Sequence, residues 1–206
     1  MTGVPDLQIA FLLAARLCHE LTGPITAIGN GIEVLSEDDG YLAAQALDLA
    51  AESTRRATAR LRFYRFAYGF AGEAETAGPP PFALAAGYFE ATPTICDFRD
   101  RVRGLPLAQQ RLGCNLLLIG AAALVRGGGL VLDAEGDGLR LDMAGDAVSL
   151  SSEQLAALRL ETARADLSPR NVQGYFTALL ARAEGWRLID AALGPGQLCL
   201  RVGRPG

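Results

Sequence analysis

The chain has 206 residues, half of them apolar, and a formal charge of −4 at pH 7, so it holds enough apolar material to pack one large domain or two small ones. All 19 basic residues are arginine, which reads as GC-rich codon usage; the acidic balance excludes a chain-wide nucleic-acid footprint, and no basic amino-terminal segment precedes a run long enough for a signal peptide or a membrane span. A single histidine excludes an ordinary His-rich metal site, and four cysteines at 18, 96, 114 and 199 with no Cys-x-x-Cys spacing are expected to be buried free thiols of a cytosolic protein.

Met1 to Pro5 read as a loose end, and a helix is expected from about Asp6 to Ser36. Leu13, Leu17, Leu21, Ile25, Ile28, Ile32 and Leu35 recur at steps of three and four, forming one stripe that requires a partner. At about 100° per residue, His19 sits roughly 200° from Leu17 and Leu21, so it should face water. An imidazole on a rigid helix is a nucleophile near neutral pH, because its reference pKa of about 6.5 leaves one ring nitrogen free. Pro24 removes a helical hydrogen bond, which predicts a bend just after His19.

The order His19-Glu20-Leu21-Thr22-Gly23-Pro24-Ile25-Thr26-Ala27-Ile28 resembles the H-box of two-component histidine kinases, in which the His is phosphorylated and the Pro bends the helix one turn later. That resemblance implies His19 as the reacting residue. Glu20 would orient the ring or take its proton, or is an ordinary helix carboxylate. Gly23 stands four residues after the His, where kinases with phosphatase activity often carry Thr or Asn to hold a water. A glycine cannot do so, and reversible transfer is expected rather than active dephosphorylation. Arg16, one turn before His19, would steady a phosphoryl group or is a solvent-exposed arginine.

The turn Glu37-Asp38-Asp39-Gly40 should end the first helix, and a second is expected from about Tyr41 to Phe70, with Leu42, Ala46, Leu49, Ala50, Ser53, Ala57, Leu61 and Tyr64 at helical spacing. Two antiparallel helices cannot cover their own stripes, whereas two copies of the hairpin make a four-helix bundle, so a homodimer is predicted. Arg55, Arg56, Arg60, Arg62 and Arg65 crowd the half of the second helix that returns toward His19. They form either an electropositive surround for a phosphoryl group or acidic partner, or a solvated face.

Ala71 to Pro81 is the linker-like stretch, dividing a helical hairpin (1–72) from a second domain (82–206) across a linker (73–81). Beyond it, Phe82 to Ala91 reads as a helix, Thr94 to Phe98 as a strand, and Pro106 to Leu124 as an apolar helix opened by proline. Gly129 to Asp133 and Gly138 to Ala144 read as a hairpin turning at Glu135-Gly136-Asp137-Gly138. Ser151 to Leu160 is a helix capped by Ser151 or Ser152, a longer one starts with Ser168 as cap and Pro169 as first residue, and strands Trp186 to Ala192 and Gln197 to Val202 close the chain. The fold class is thus α plus α+β: a helical hairpin followed by helices collected on one face of a largely antiparallel sheet.

This succession resembles the ATP-binding domain of histidine kinases, of the α/β sandwich kind shared with gyrase and Hsp90, in degenerate form. Of the two asparagines that kinases carry four apart, Asn115 matches the first and Ile119 stands at the second, where an isoleucine cannot hold magnesium. The adenine-contacting loop would fall at Asp142-Met143-Ala144-Gly145-Asp146 and the phosphate loop at Asn171-Val172-Gln173-Gly174-Tyr175, and the glycines of neither align. Glu135-Gly136-Asp137-Gly138 is a plain turn.

An intact His beside an emptied ATP site resembles the ChpT-type histidine phosphotransferases of alphaproteobacterial phosphorelays. Cys18-His19-Glu20-Leu21, Ala27 to Leu35, Asn115-Leu116-Leu117-Leu118, Arg126-Gly127-Gly128 and Val172-Gln173-Gly174-Tyr175 carry the likeness. The resemblance implies a cytosolic homodimer that takes a phosphoryl group from the receiver domain of a hybrid histidine kinase onto His19 and passes it to aspartates of response regulators. No cofactor would be bound by this chain, and the Mg²⁺ of transfer would belong to the partner receiver. By analogy with kinase complexes, the receiver would lean on the small residues Ala15, Thr22, Gly23 and Thr26, with Arg56 and Arg60 meeting its acidic rim. An ATP-dependent sensor kinase and a non-catalytic dimeric adaptor that docks receivers are the other two classes left open.

Overall fold

The computed structural model describes residues 7–37, 41–69, 78–90 and 92–205. The expected loose end at Met1 to Pro5, the turn after the first helix and most of the linker lie outside the described residues.

Helix α1 (Leu7–Glu37) is continuous through Pro24 and packs along α2 (Tyr41–Ala67). The apolar stripe of α1 divides in two. Leu13, Leu17, Leu21, Ile28 and Leu35 are buried or half-buried, whereas Ile25 and Ile32 are 58% and 56% exposed in the single chain. On α2, Ala46, Ala50, Ser53 and Tyr64 face inward, while Leu42, Leu49 and Leu61 stay exposed together with Leu47. The amino-terminal half of α1 has a partner that the periodicity did not reveal. Ile9 and Leu13 pack with Ala157, Leu167, Val172 and Tyr175 of the second half of the chain.

The second half runs α3 (Pro81–Phe89), β1 (Thr94–Phe98), α4 (Asp100–Arg103), α5 (Leu107–Ala123), β2 (Gly128–Glu135), β3 (Gly138–Ala144), α6 (Ser152–Leu158), a single 3₁₀ turn (Arg164–Asp166), α7 (Val172–Ala183), β4 (Arg187–Gly194) and β5 (Gln197–Gly203). Its sheet has the order β1-β2-β3-β5-β4, with β1 and β2 parallel and the other pairs antiparallel. Alternation sets its two faces. Leu130, Leu132, Leu139, Leu141, Met143, Leu198, Leu200 and Val202 are buried under the helices, while Arg140 and Arg201 on the other face pair with Glu135. Helix α5 lies close on the sheet because Gly113 and Gly120 face it: a Cβ there would come within 2.8 Å and 2.7 Å of Leu132 and Leu130 side-chain carbons. The expected hairpin followed by helices on one face of a largely antiparallel five-stranded sheet is observed. The core does not stop between the two, since Phe63, Tyr64, Phe66 and Ala67 of α2 belong to the same buried cluster as the sheet.

Two local expectations need correction, and one short helix was not foreseen. Helix α7 starts at Val172, not at Pro169, because Asn171 accepts at Oδ1 from the Ser168 amide and donates to the Asp166 carbonyl, closing residues 168–171 into a separate turn. The short helix α4, Asp100–Arg103, has no counterpart among the expected elements. Cys18 is an exposed free thiol rather than a buried one; Cys114 is fully buried, and Cys96 and Cys199 are half-buried. By contrast, α6 begins as expected, with Ser151 accepting from the Gln154 amide and Gln154 accepting from Ser151 in a capping box.

Candidate functional site

His19 stands on the outward face of α1, solvent-exposed, as its angular offset from Leu17 and Leu21 requires. Thr22, Gly23 and Thr26, along the same helix, are exposed too, as is Ala15. A Cβ added at Gly23 would meet nothing within 4 Å, so no packing among the described residues demands a glycine there. The Thr22 hydroxyl donates to the Cys18 carbonyl at 2.8 Å, which turns its polar atom back onto the helix and leaves a smooth, small surface next to the imidazole.

Glu20 points the other way. Its carboxylate lies 3.5 Å from Arg60 Nη1 of α2, and the two side chains are 27% and 26% exposed. The same nitrogen donates to the Glu20 backbone carbonyl at 2.8 Å. Beneath them lies an aromatic cluster: Tyr88 of α3 packs on Phe63 at 4.7 Å between centroids and edge-on against Tyr64 at 5.9 Å. Burial pushes the Tyr88 hydroxyl up from its ordinary range, and the Glu20 charge adds to that shift. Of the arginines expected near His19, Arg60 turns into the hairpin onto Glu20. Arg56 stays exposed and is held by Glu52 at 2.9 Å, in a pair shared with Arg55.

Arg16 also differs from the expectation. Its Nε is buried without a hydrogen-bond partner among the described residues, and its side chain reaches toward the second domain, away from the outward face. There it lines a residual cavity of about 10 Å³ with Ile119, Gln154, Arg170, Gln173 and Gly174. Ile119, Gln173 and Gly174 belong to the stretches that the sequence likeness aligns with nucleotide motifs, and the space is about that of one water molecule. Gly174 survives for packing: a Cβ would meet the Gln154 carbonyl at 3.1 Å and Leu158 at 3.4 Å. The stretch at the adenine-contacting position is taken up by β3, with Met143 buried. No group of three or more potential metal-ligating side chains occurs among the described residues, and Ile119 offers no oxygen. The residues present do not fit a magnesium nucleotide.

Asn115, the surviving asparagine, has a different occupation that sequence reasoning missed. It donates to the Ala67 carbonyl at 2.7 Å and to the Arg111 carbonyl at 2.9 Å, and accepts from Gln173 Nε2 at 2.9 Å. Gln173 in turn accepts from the Tyr68 hydroxyl at 3.0 Å. A polar residue at zero exposure thus ties the end of α2 to α5 and α7. The signal available beforehand was the pairing of Asn115 with Gln173 in two stretches that had both lost their nucleotide pattern.

The family model described as the histidine phosphotransferase C-terminal domain matches residues 82–191. The chain is 32% identical over 191 residues to the protein phosphotransferase ChpT of Brucella abortus, spanning 88% of this chain and 89% of that one. It also superposes on the solved structure of a bacterial phosphotransferase with a TM-score of 0.77 and 30% identity, over 98% of each chain. No helix among the described residues is long and apolar enough to cross a membrane.

Proposed function

Since the chain belongs to the ChpT-type histidine phosphotransferase family and is a phosphotransferase, we propose that His19 is its phosphoacceptor and that it relays phosphoryl groups between receiver domains without ATP. The observation that supports this reading is the exposed His19 on the outward face of α1, flanked by small exposed residues, with Ile119 and Arg16 lining a cavity of only about 10 Å³ beside the stretches that the likeness aligns with nucleotide motifs.

In the proposed reaction a receiver domain of a hybrid kinase, phosphorylated on aspartate, leans on Ala15, Thr22, Gly23 and Thr26. The solvent-facing nitrogen of neutral His19 attacks phosphorus in line. The N–P bond forms as the acyl P–O bond breaks, and the aspartate leaves as a carboxylate. The proton on the other ring nitrogen stays, giving a phosphoimidazolium until solvent removes it. Metal chemistry belongs to the receiver, whose acidic pocket carries the Mg²⁺ that neutralises the transferring group. The reverse reaction hands the phosphoryl group to the aspartate of a response regulator. Glu20, turned toward Arg60, does not take the His19 proton in this reading.

The exposed Ile25, Ile32, Leu42, Leu47, Leu49 and Leu61 support a homodimer in which two hairpins complete a four-helix bundle. A division into a phosphotransfer hairpin at 1–72 and a degenerate ATP-binding-like domain at 82–206, and a cytosolic location consistent with four free cysteines, belong to the same proposal.

The test mixes the protein with a phosphorylated receiver, and separately with labelled ATP. Acid-labile label appearing from the receiver, absent in His19→Ala and never obtained from ATP alone, is the expected result. Autophosphorylation from ATP would make the chain a kinase, and receiver binding with no transfer would make it an adaptor.

A further inference from the structure

Pro24 has no N–H, so in α1 the carbonyl four residues earlier, that of Glu20, has lost its helical donor. Residue 20 is the one after His19. A carbonyl deprived of its donor inside a packed hairpin is costly unless another group reaches it. Arg60 Nη1 does so at 2.8 Å from the neighbouring helix, and the same nitrogen stands 3.5 Å from the Glu20 carboxylate. One guanidinium therefore holds both the backbone and the side chain of the residue following His19. Being charged, it is a stronger donor than the amide it replaces.

We propose that Arg60 is a positioning residue for phosphoryl transfer: it replaces the hydrogen bond that Pro24 removes, and so fixes the α1 backbone that carries His19. The inference rests on the reading of His19 as phosphoacceptor. In this role Arg60 acts through the backbone of Glu20 rather than on the imidazole or on a receiver. Pro24 leaves the His19 turn with one fewer internal restraint, and the arginine restores it from outside, across the hairpin. Burial pushes the Tyr88 hydroxyl of α3 up, the Glu20 charge adds to that rise, and the Arg60 and Arg16 charges oppose it. The clamp is thereby seated on the aromatic cluster that joins α2 to the second domain.

The geometry sets this apart from a docking function. A docking arginine sets receiver affinity and salt dependence, whereas a positioning arginine sets the rate at saturating receiver. It also predicts a specific rescue. Pro24→Ala returns an N–H to the Glu20 carbonyl, after which Arg60 is needed far less, so the two changes should be strongly non-additive.

The experiment measures single-turnover transfer from a phosphorylated receiver to the full chain in four proteins: unsubstituted, Arg60→Gln, Pro24→Ala and the double variant. Alongside it, the ¹³C′ shift of Glu20 reports hydrogen bonding to that carbonyl without reference to transfer. Arg60→Gln should lower the saturating rate at least tenfold with receiver affinity within twofold of normal. In the Pro24→Ala background the same change should cost less than threefold. The Glu20 ¹³C′ shift should move on Arg60→Gln only where Pro24 is present. An unchanged saturating rate with weakened, salt-dependent affinity would make Arg60 a docking residue and overturn the proposal. An equal loss in both backgrounds, or an unmoved Glu20 ¹³C′ shift, would overturn it too. Full transfer by His19→Ala, run as a control, sinks the phosphoacceptor reading instead, and the carbon shift then still decides whether the clamp exists.

Discussion

Asn115 donates to two carbonyls and accepts from Gln173 while fully buried, so truncating it orphans several polar groups at once. Asn115→Ala should destabilise the protein by about 2–3 kcal/mol, the cost of leaving buried partners unsatisfied. A shift of the urea midpoint at constant slope measures it, and an unchanged midpoint would show that the network carries no stability. Gly23 is the opposite case, because nothing within 4 Å constrains its side. Gly23→Trp should leave thermal stability nearly unchanged and abolish transfer in both directions. Normal transfer by that variant would place the receiver elsewhere. His19 was legible from the sequence because exposure follows from phase on its own helix. The partner of Glu20 was not, since helical spacing gives the direction in which a side chain leaves its helix and says nothing of which residue on another helix meets it. Pro24 made the orphaned Glu20 carbonyl foreseeable, but the donor that fills it comes from forty residues away.

At the scale of elements, the strands at Thr94–Phe98 and Gly138–Ala144 and the α5 helix were legible, because turn glycines and prolines bracket them closely. The start of α7 was hidden because Ser168-Pro169 is a good helix opening, overridden by the Asn171 side chain that closes an earlier turn. The α1 stripe was visible as one apolar band and is divided by tertiary structure. Leu13 goes to the second domain, Leu17 and Leu21 are partly covered, and Ile25 and Ile32 stay open. Those two isoleucines lie seven residues apart, two helical turns along one face, as a bundle seam requires. Replacing both with glutamate should convert a dimer into a folded monomer at micromolar concentration, read by sedimentation velocity with an unchanged helical signal. Equal sedimentation of the two proteins would contradict a dimer seam through Ile25 and Ile32.

Across the whole molecule, the hairpin and the sheet domain share one core, and the contacts that join them among the described residues include Ile9 and Leu13 against Ala157, Leu167, Val172 and Tyr175, the Tyr68-Gln173-Asn115 chain, Arg111 on the Phe66 carbonyl, and the aromatic cluster beneath Glu20 and Arg60. In this arrangement Arg16 lines a cavity of about 10 Å³ with Ile119, Gln173 and Gly174. The loss of nucleotide motifs could be read from Ile119 and the altered loops. That the vacated positions hold the two halves together could not, because it depends on which surfaces the chain brings face to face. The central claim is that a phosphoryl group arrives at His19 from another protein's aspartate. Its most direct test is mass-spectrometric localisation of phosphate on the chain after mixing with a phosphorylated receiver at neutral pH with no ATP present. A single acid-labile phosphate on His19 is the predicted result; phosphate on any other residue, or phosphate on His19 only when ATP is added, would contradict it.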